Sequence, residues 1–320
     1  HYTLGFNGGM YNTFRELLQA KIALPNHWIA NARFSKVNSD GFLYRTSSDL
    51  YSYYTDLGWY GKQTQVVARC FGGSEKTGMG WDGVDYNTAY GIDGADRRYN
   101  PAGEYTLVGS NGEDSVAYYD NQTDNYSQLH AQLSLYHRFS SQWSLTATAH
   151  YTHGYGYYEQ YKKKSFSYWG LPSYTDAGGN EIKKAYGLYR KHLNNHFYGG
   201  IVSAKYISEA IDIQIGGAAN HYMGAHYGTL HHLQDSLYGG SIPVQYEYYR
   251  NNADKVDANI YSKLNWRILQ EGKHRLSLYA DMQYRFVRYM RNGLNDEDMQ
   301  DLPLQVNYHF FNPKAGLSYQ

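Results

Sequence analysis

The chain has 320 residues, among them 38 tyrosines, 33 glycines and one cysteine, and Lys+Arg and Asp+Glu balance at 29 each. That balance lacks the basic excess of a nucleic-acid binder, an aromatic share of 17% excludes a disordered chain, and Cys70 has no second cysteine with which to form a disulfide. A mean hydropathy of −0.69 and the absence of any long apolar run exclude transmembrane helices but leave open a membrane β-barrel, whose strands show only every second side chain to lipid.

Taken in chain order, the sequence predicts about thirteen strands, near 2–7, 11–24, 27–37, 51–60, 63–72, 126–139, 143–153, 192–206, 211–220, 254–268, 274–288, 304–311 and 315–320. Their pattern has period two. Trp143, Leu145, Ala147 and Ala149 alternate with Ser144, Thr146, Thr148 and His150; Val256, Ala258 and Ile260 alternate with Asp257, Asn259 and Tyr261. The strands are longer than the usual soluble strand of about 5–6 residues and match the roughly 9–11 tilted residues of a membrane strand. Tight links near 25–26, 61–62, 140–142, 208–209 and 270–272 alternate with long polar stretches at 38–50, 73–125, 154–191, 221–253 and 289–303. Short turn, long loop is the rhythm of an outer-membrane barrel with periplasmic turns and extracellular loops. The fold class read from this is all-β, an antiparallel transmembrane β-barrel fragment occupying residues 1–320 as one unit. The odd strand count and the start at HYTLGFNGG, with no initiator Met or signal segment, lead to the expectation of an excerpt from a longer chain.

Several segments carry a resemblance to a known family: RRYNPAGEY (97–105), YYDNQTDNY (118–126), HYTHGYGYYEQYK (150–162), KVDANIYSKLNW (255–266), YADMQYR (279–285), FFNPKAGLSYQ (310–320) and the earlier 31–54. Together they resemble the barrel of a TonB-dependent outer-membrane receptor of the Bacteroidetes type. The resemblance implies a barrel of about 22 strands, of which this chain would supply the central-to-late portion without plug, TonB box or C-terminal strand. It also implies location in the bacterial outer membrane. The implied partners are the TonB–ExbB–ExbD complex, the receptor's own plug, outer-membrane lipid and lipopolysaccharide, and a small-molecule nutrient.

No nucleotide loop, zinc spacing, EF-hand or HExxH is present in the sequence, and nothing points to an enzyme. His221, His226, His231 and His232, in an expected extracellular loop, are candidates for metal or ferric-complex contact; the plainer reading is a neutral hydrogen-bonding surface. The acidic sets Asp296, Glu297, Asp298, Asp301 and Asp82, Asp85, Asp93, Asp96 are candidates for Ca²⁺ through several oxygens, against ordinary solvated loops. Trp81, Tyr86, Tyr90, Arg97 and Arg98 are candidates to grip a planar or anionic ligand. Lys21, Arg33, Lys205, Asp212, Lys263, Arg267, Asp281 and Arg285 are expected to face the lumen, since Arg or Lys facing lipid near mid-bilayer costs about 2–4 kcal/mol. NPKAG (312–316) reads as a turn into the last strand.

The function expected is active uptake of a scarce nutrient, a ferric siderophore or related iron complex, energised by TonB. The alternatives are a passive porin-like channel, a receptor of the same family for haem, cobalamin, glycan or peptide, and a soluble β-rich binding module.

Overall fold

The structure, a computed structural model, describes residues 1–109, 113–296, 299–301 and 303–320. Twelve strands form a single antiparallel sheet in which every strand pairs with its neighbours in chain order. They are β1 (Tyr2–Gly9), β2 (Thr13–Leu24), β3 (Trp28–Ser39), β4 (Ser48–Tyr60), β5 (Thr64–Gly78), β8 (Thr123–Arg138), β9 (Trp143–Ser165), β12 (Lys184–Ile207), β13 (Ile211–Gln234), β14 (Tyr246–Glu271), β15 (His274–Gly293) and β16 (Leu304–Tyr319). Two hairpins lie outside it: β6 (Glu104–Val108) with β7 (Asp114–Tyr118), and β10 (Tyr174–Thr175) with β11 (Glu181–Ile182). Among the described residues no helix is long and apolar enough to cross a membrane, and the one α-helix, α1 (Tyr86–Tyr90), is a single turn.

Two expectations need correction. The segments 304–311 and 315–320 are one continuous strand, so NPKAG is not a turn. Pro313 pairs with Met282 in the register of β15 and β16. β16 has a neighbour on one side only, and an edge strand tolerates proline because its missing N–H can face away from the partner. The long connections are also shorter than the pattern suggested. β9, β12, β13 and β14 run 23, 24, 24 and 26 residues, reaching well past the segment in which apolar and polar residues alternate. Ladder hydrogen bonds need no such alternation once neither face meets lipid or core. The remaining long connections are 40–47, 79–122, 166–183, 235–245 and 294–303, all at one end of the sheet together with the tight turn 10–12, and the other tight turns are at the opposite end.

Because paired residues share a face, the register sorts the sheet into two surfaces. One carries Leu18, Leu57, Leu133, Ala147, Val202, Ile260 and Tyr284. Among the described residues nothing covers this row: Leu133 is 53% exposed, Ile215 53% and Ile260 60%. A β-sandwich would bury such a face. The buried apolar cluster lies instead at the long-connection end, where Phe166 and Trp169 pack on Tyr189, Leu230, Leu233, Tyr248 and Tyr249.

Candidate functional site

The second surface of the sheet is polar. Lys21, Arg33, Lys205, Asp212, Lys263, Arg267, Asp281 and Arg285 all fall on it by register. Lys205 and Asp212 form an ion pair at 3.6 Å. Arg285 Nε donates to Asp257 Oδ1 at 2.9 Å, and Lys255 Nζ lies 3.9 Å from the same carboxylate. Asn31 Nδ2 donates to both carboxylate oxygens of Asp56 at 2.8 and 3.0 Å. Arg267 does something different: its guanidinium donates to the carbonyls of Glu209 and Ser208 at 2.5 and 2.7 Å and fastens a tight turn. Lys263 and Asp281, paired in register, border a small polar cavity of about 260 Å³ with Tyr261 and Gln283.

Higher on this surface, Arg33, Tyr54, Phe71 and His130 stand side by side across β3, β4, β5 and β8. The Phe71 and His130 rings stack at 4.6 Å and Tyr54 lies 6.0 Å from Phe71. Thr152 Oγ1 holds the His130 ring at 2.9 Å. With Glu75, Tyr126 and Gln128 these residues line a cleft of about 530 Å³. Its floor includes Gly72 and Gly73, where an added Cβ would come within 2.1 and 2.4 Å of the Gln128 and Tyr51 carbonyl oxygens. Aromatic faces, a guanidinium and a carboxylate in one cleft can stack a planar group and hydrogen-bond a charged one. Of these residues only Arg33 was singled out from sequence; the rest follow from cross-strand register, which needs the fold.

Parts of the long connections reach the polar surface, whereas 119–122 packs on the opposite side of the sheet, where Glu159 and Arg190 pair in register. Gly187, Tyr189 and Lys191 point to the polar surface from β12, and the Trp169 ring sits where a Gly187 Cβ would be, 2.5 Å from its Cζ2. Lys191 Nζ donates to Asp296 Oδ2 at 2.5 Å, tying 294–296 to β12. Trp81 meets the Tyr158 ring edge-on at 5.4 Å, and Lys162 bonds Asp82 at 3.2 Å. The segment 119–122 is anchored on β9 and β12 by Glu159, which is 2% exposed. Its carboxylate accepts from Tyr119 and Asn121 and from Arg190 Nε at 2.6 Å. Burial opposes the charge of Glu159, yet the bonds from Tyr119, Arg190 and Asn121 outweigh it and hold the carboxyl below its ordinary value. The Tyr119 hydroxyl is pushed up to about 12, by burial first and by the bond to Glu159 second.

The proposed ligand-gripping set does not assemble. Trp81 reaches Tyr158, but Tyr86 and Tyr90 pair with each other at 4.6 Å on exposed α1. Arg97 packs by Gly91. Arg98 turns to the Phe42 carbonyl at 2.8 Å and lies over Tyr44 at 4.6 Å. The segment RRYNPAGEY fastens two connections together. Asn100, 1% exposed, donates to the carbonyls of Tyr44 and Met79 at 2.9 and 2.8 Å, and Arg45 binds the Asn100 carbonyl.

The four histidines lie on β13, not in a loop. His221 is on the apolar face, bonded to Asp254 at 2.5 Å, whereas His226, five residues on, is on the polar one. His231 bonds Thr229 at 3.0 Å, and His232 pairs with Leu188 across a bulge. Burial holds His226 and His231 below the ordinary imidazole value. The acidic residues are dispersed too. Asp85 caps α1 through Thr88 N at 3.0 Å, Asp96 accepts from Arg98 N at 2.9 Å, Asp93 sits in a left-handed turn and Asp301 bridges to Leu294. Glu297 and Asp298 lie outside the described residues. Among the described residues no three His, Cys, Asp or Glu side chains converge to hold a metal ion.

No protein-family model and no curated protein sequence matches the chain. Solved structures do. The unliganded ferric citrate transporter FecA superposes with a TM-score of 0.59 at 12% identity, over 97% of this chain and 40% of that one. The siderophore receptor PiuA from Acinetobacter baumannii gives 0.59 at 11%, over 98% and 46%. The copper transporter OprC gives 0.61 at 12%, over 99% and 42%. The likeness is one of fold. The twelve-stranded sheet matches part of a TonB-dependent receptor barrel, and the chain spans less than half the length of these three proteins.

Proposed function

We propose that this chain is part of the barrel wall of an outer-membrane active-transport receptor energised by TonB, of the Bacteroidetes type that its segments resemble. The receptor takes up a scarce nutrient, a ferric siderophore or related iron complex, and makes or breaks no bond in it. The observation that carries this reading is a single sheet with one uncovered apolar face and one charged face, in the fold of transport receptors over almost the whole chain. The apolar face then meets lipid. The charged face lines the lumen, where Arg33, Lys263, Asp281 and Arg285 contact the plug or the passing ligand, and Arg267 serves the periplasmic turn. The cleft at Arg33, Tyr54, Phe71 and His130 is a wall of the ligand path, and the folded-in connections form its extracellular mouth. TonB–ExbB–ExbD supplies force through a plug.

Deleting the gene and growing the strain on one iron source at a time tests the ligand. The expected result is loss of growth on one ferric complex, matched by loss in a strain lacking TonB. Growth lost only on a glycan or peptide would transfer the assignment to that nutrient. Uptake that persists without TonB would make the protein a passive channel.

A further inference from the structure

The apolar face changes character along β12–β15. Val202 and Ile260 stand in a plain apolar row. Eight residues toward the long connections, about 27 Å at ~3.4 Å per residue, the register aligns Asn194, Asn252 and Asn292 on the same face, with Ala225 between the first two. The adjoining row is His196, Met223, Asp254 and Met290. A cavity of about 370 Å³ opens between these two rows.

The chemistry of that cavity is specific. All three asparagines are exposed, and Asn252 and Asn292 have no side-chain hydrogen-bond partner among the described residues. Each amide both donates and accepts, as neighbouring sugar hydroxyls require. Asp254 accepts only, and two side chains beside it are already turned to it, the His221 ring at 2.5 Å and the Arg288 guanidinium at 3.4 Å. A phosphate would therefore meet a carboxylate, whereas a hydroxyl would donate to it. Met223 and Met290 offer apolar cover for the C–H face of a ring.

We propose that this cavity binds the saccharide headgroup of a lipid in the surrounding leaflet, its acyl chains running down the apolar rows below. The proposal rests on the reading that this face meets lipid. The intact protein is reconstituted into vesicles of monoglucosyl diacylglycerol and phosphatidylglycerol at equal mole fraction, re-extracted in mild detergent, and its retained lipids are measured by mass spectrometry. The expected result is at least about fivefold enrichment of the glucolipid, lost in the Asn252→Leu, Asn292→Leu double variant while heat-modifiable gel mobility is unchanged. An unbiased lipid ratio in the wild type, enrichment of phosphatidylglycerol, or equal retention by the variant overturns it. Should the variant not fold, displacement of the wild-type glucolipid by methyl glucoside supports the site, and failure to displace it overturns it. A protein that never enters the vesicles sinks the lipid-facing reading itself; one that enters without enrichment sinks only the headgroup site.

Discussion

Glu159 shows what a single residue does in this molecule. It is the one acid in the aromatic run 155–161, and nothing in that run marks it as buried. The structure makes it the anchor of 119–122, because its partners arrive from 40 residues before and 31 after. Removing it in Glu159→Ala leaves Arg190 and Tyr119 without their acceptor. The expected cost is roughly 3 kcal/mol, at the lower end for a broken buried pair because Arg190 keeps 30% of its surface in water. Hydrogen exchange should register it as lost protection over 113–123, with the strand ladder below unaffected. The anchor also has a pH window. A carboxyl held below its unfolded value of 4.5 contributes stability that is present above that value and fades as pH falls through the folded one. A phenol raised from 10.0 to about 12 contributes stability that is complete below 10.0 and gone by about 12. Protection of 113–123 should therefore be flat between these limits and fall outside both; a steady slope from pH 5 to 9 would contradict the assignment.

At the scale of elements, the alternation in the sequence was enough to place eight charged residues on one face. A period of two leaves no freedom once strand direction and register are set. The adjacent pair Asn259 and Ile260 of β14 tests this most directly. Ile260→Arg should cost about 2–4 kcal/mol in bilayer unfolding experiments and Asn259→Arg close to nothing; equal costs would mean that neither face meets lipid. What the pattern missed are strand ends and connections. Beyond Gly154 both faces of β9 carry tyrosine and charge, so alternation disappears although pairing with β12 continues to Ser165. The four histidines on β13 were assigned to a loop for the same reason. The connection 166–183 depends on a contact that no local pattern encodes, Trp169 on the bare backbone of Gly187. Gly187→Ala would force that ring away at about 1–3 kcal/mol of overpacking. Trp169 fluorescence should shift red through exposure, and an unchanged spectrum would show that the connection packs otherwise.

For the whole molecule, the decisive quantity is where apolar surface goes. A soluble chain of 320 residues encloses its apolar strand faces, but here the fully buried large side chains are few and gather at one end around Trp169, Tyr189 and Phe166. The long apolar face remains open from Leu18 in β2 to Leu317 in β16, which are 52% and 72% exposed. Contiguous apolar area of that extent is not held in water by a monomer. The strands β1 and β16 add a second liability, since each has one neighbour and one unpaired row of backbone donors and acceptors. Both features lead to one prediction for the 320 residues expressed by themselves. In buffer they should aggregate into a β-rich, dye-binding precipitate, whereas a micelle that covers the apolar face should leave a dispersed species with the same strand signature. The comparison is made by sedimentation and circular dichroism with and without detergent. A monodisperse, detergent-free monomer would mean that the apolar face has found an internal partner, and the lipid-facing assignment of Ile260 and its row would fall with it.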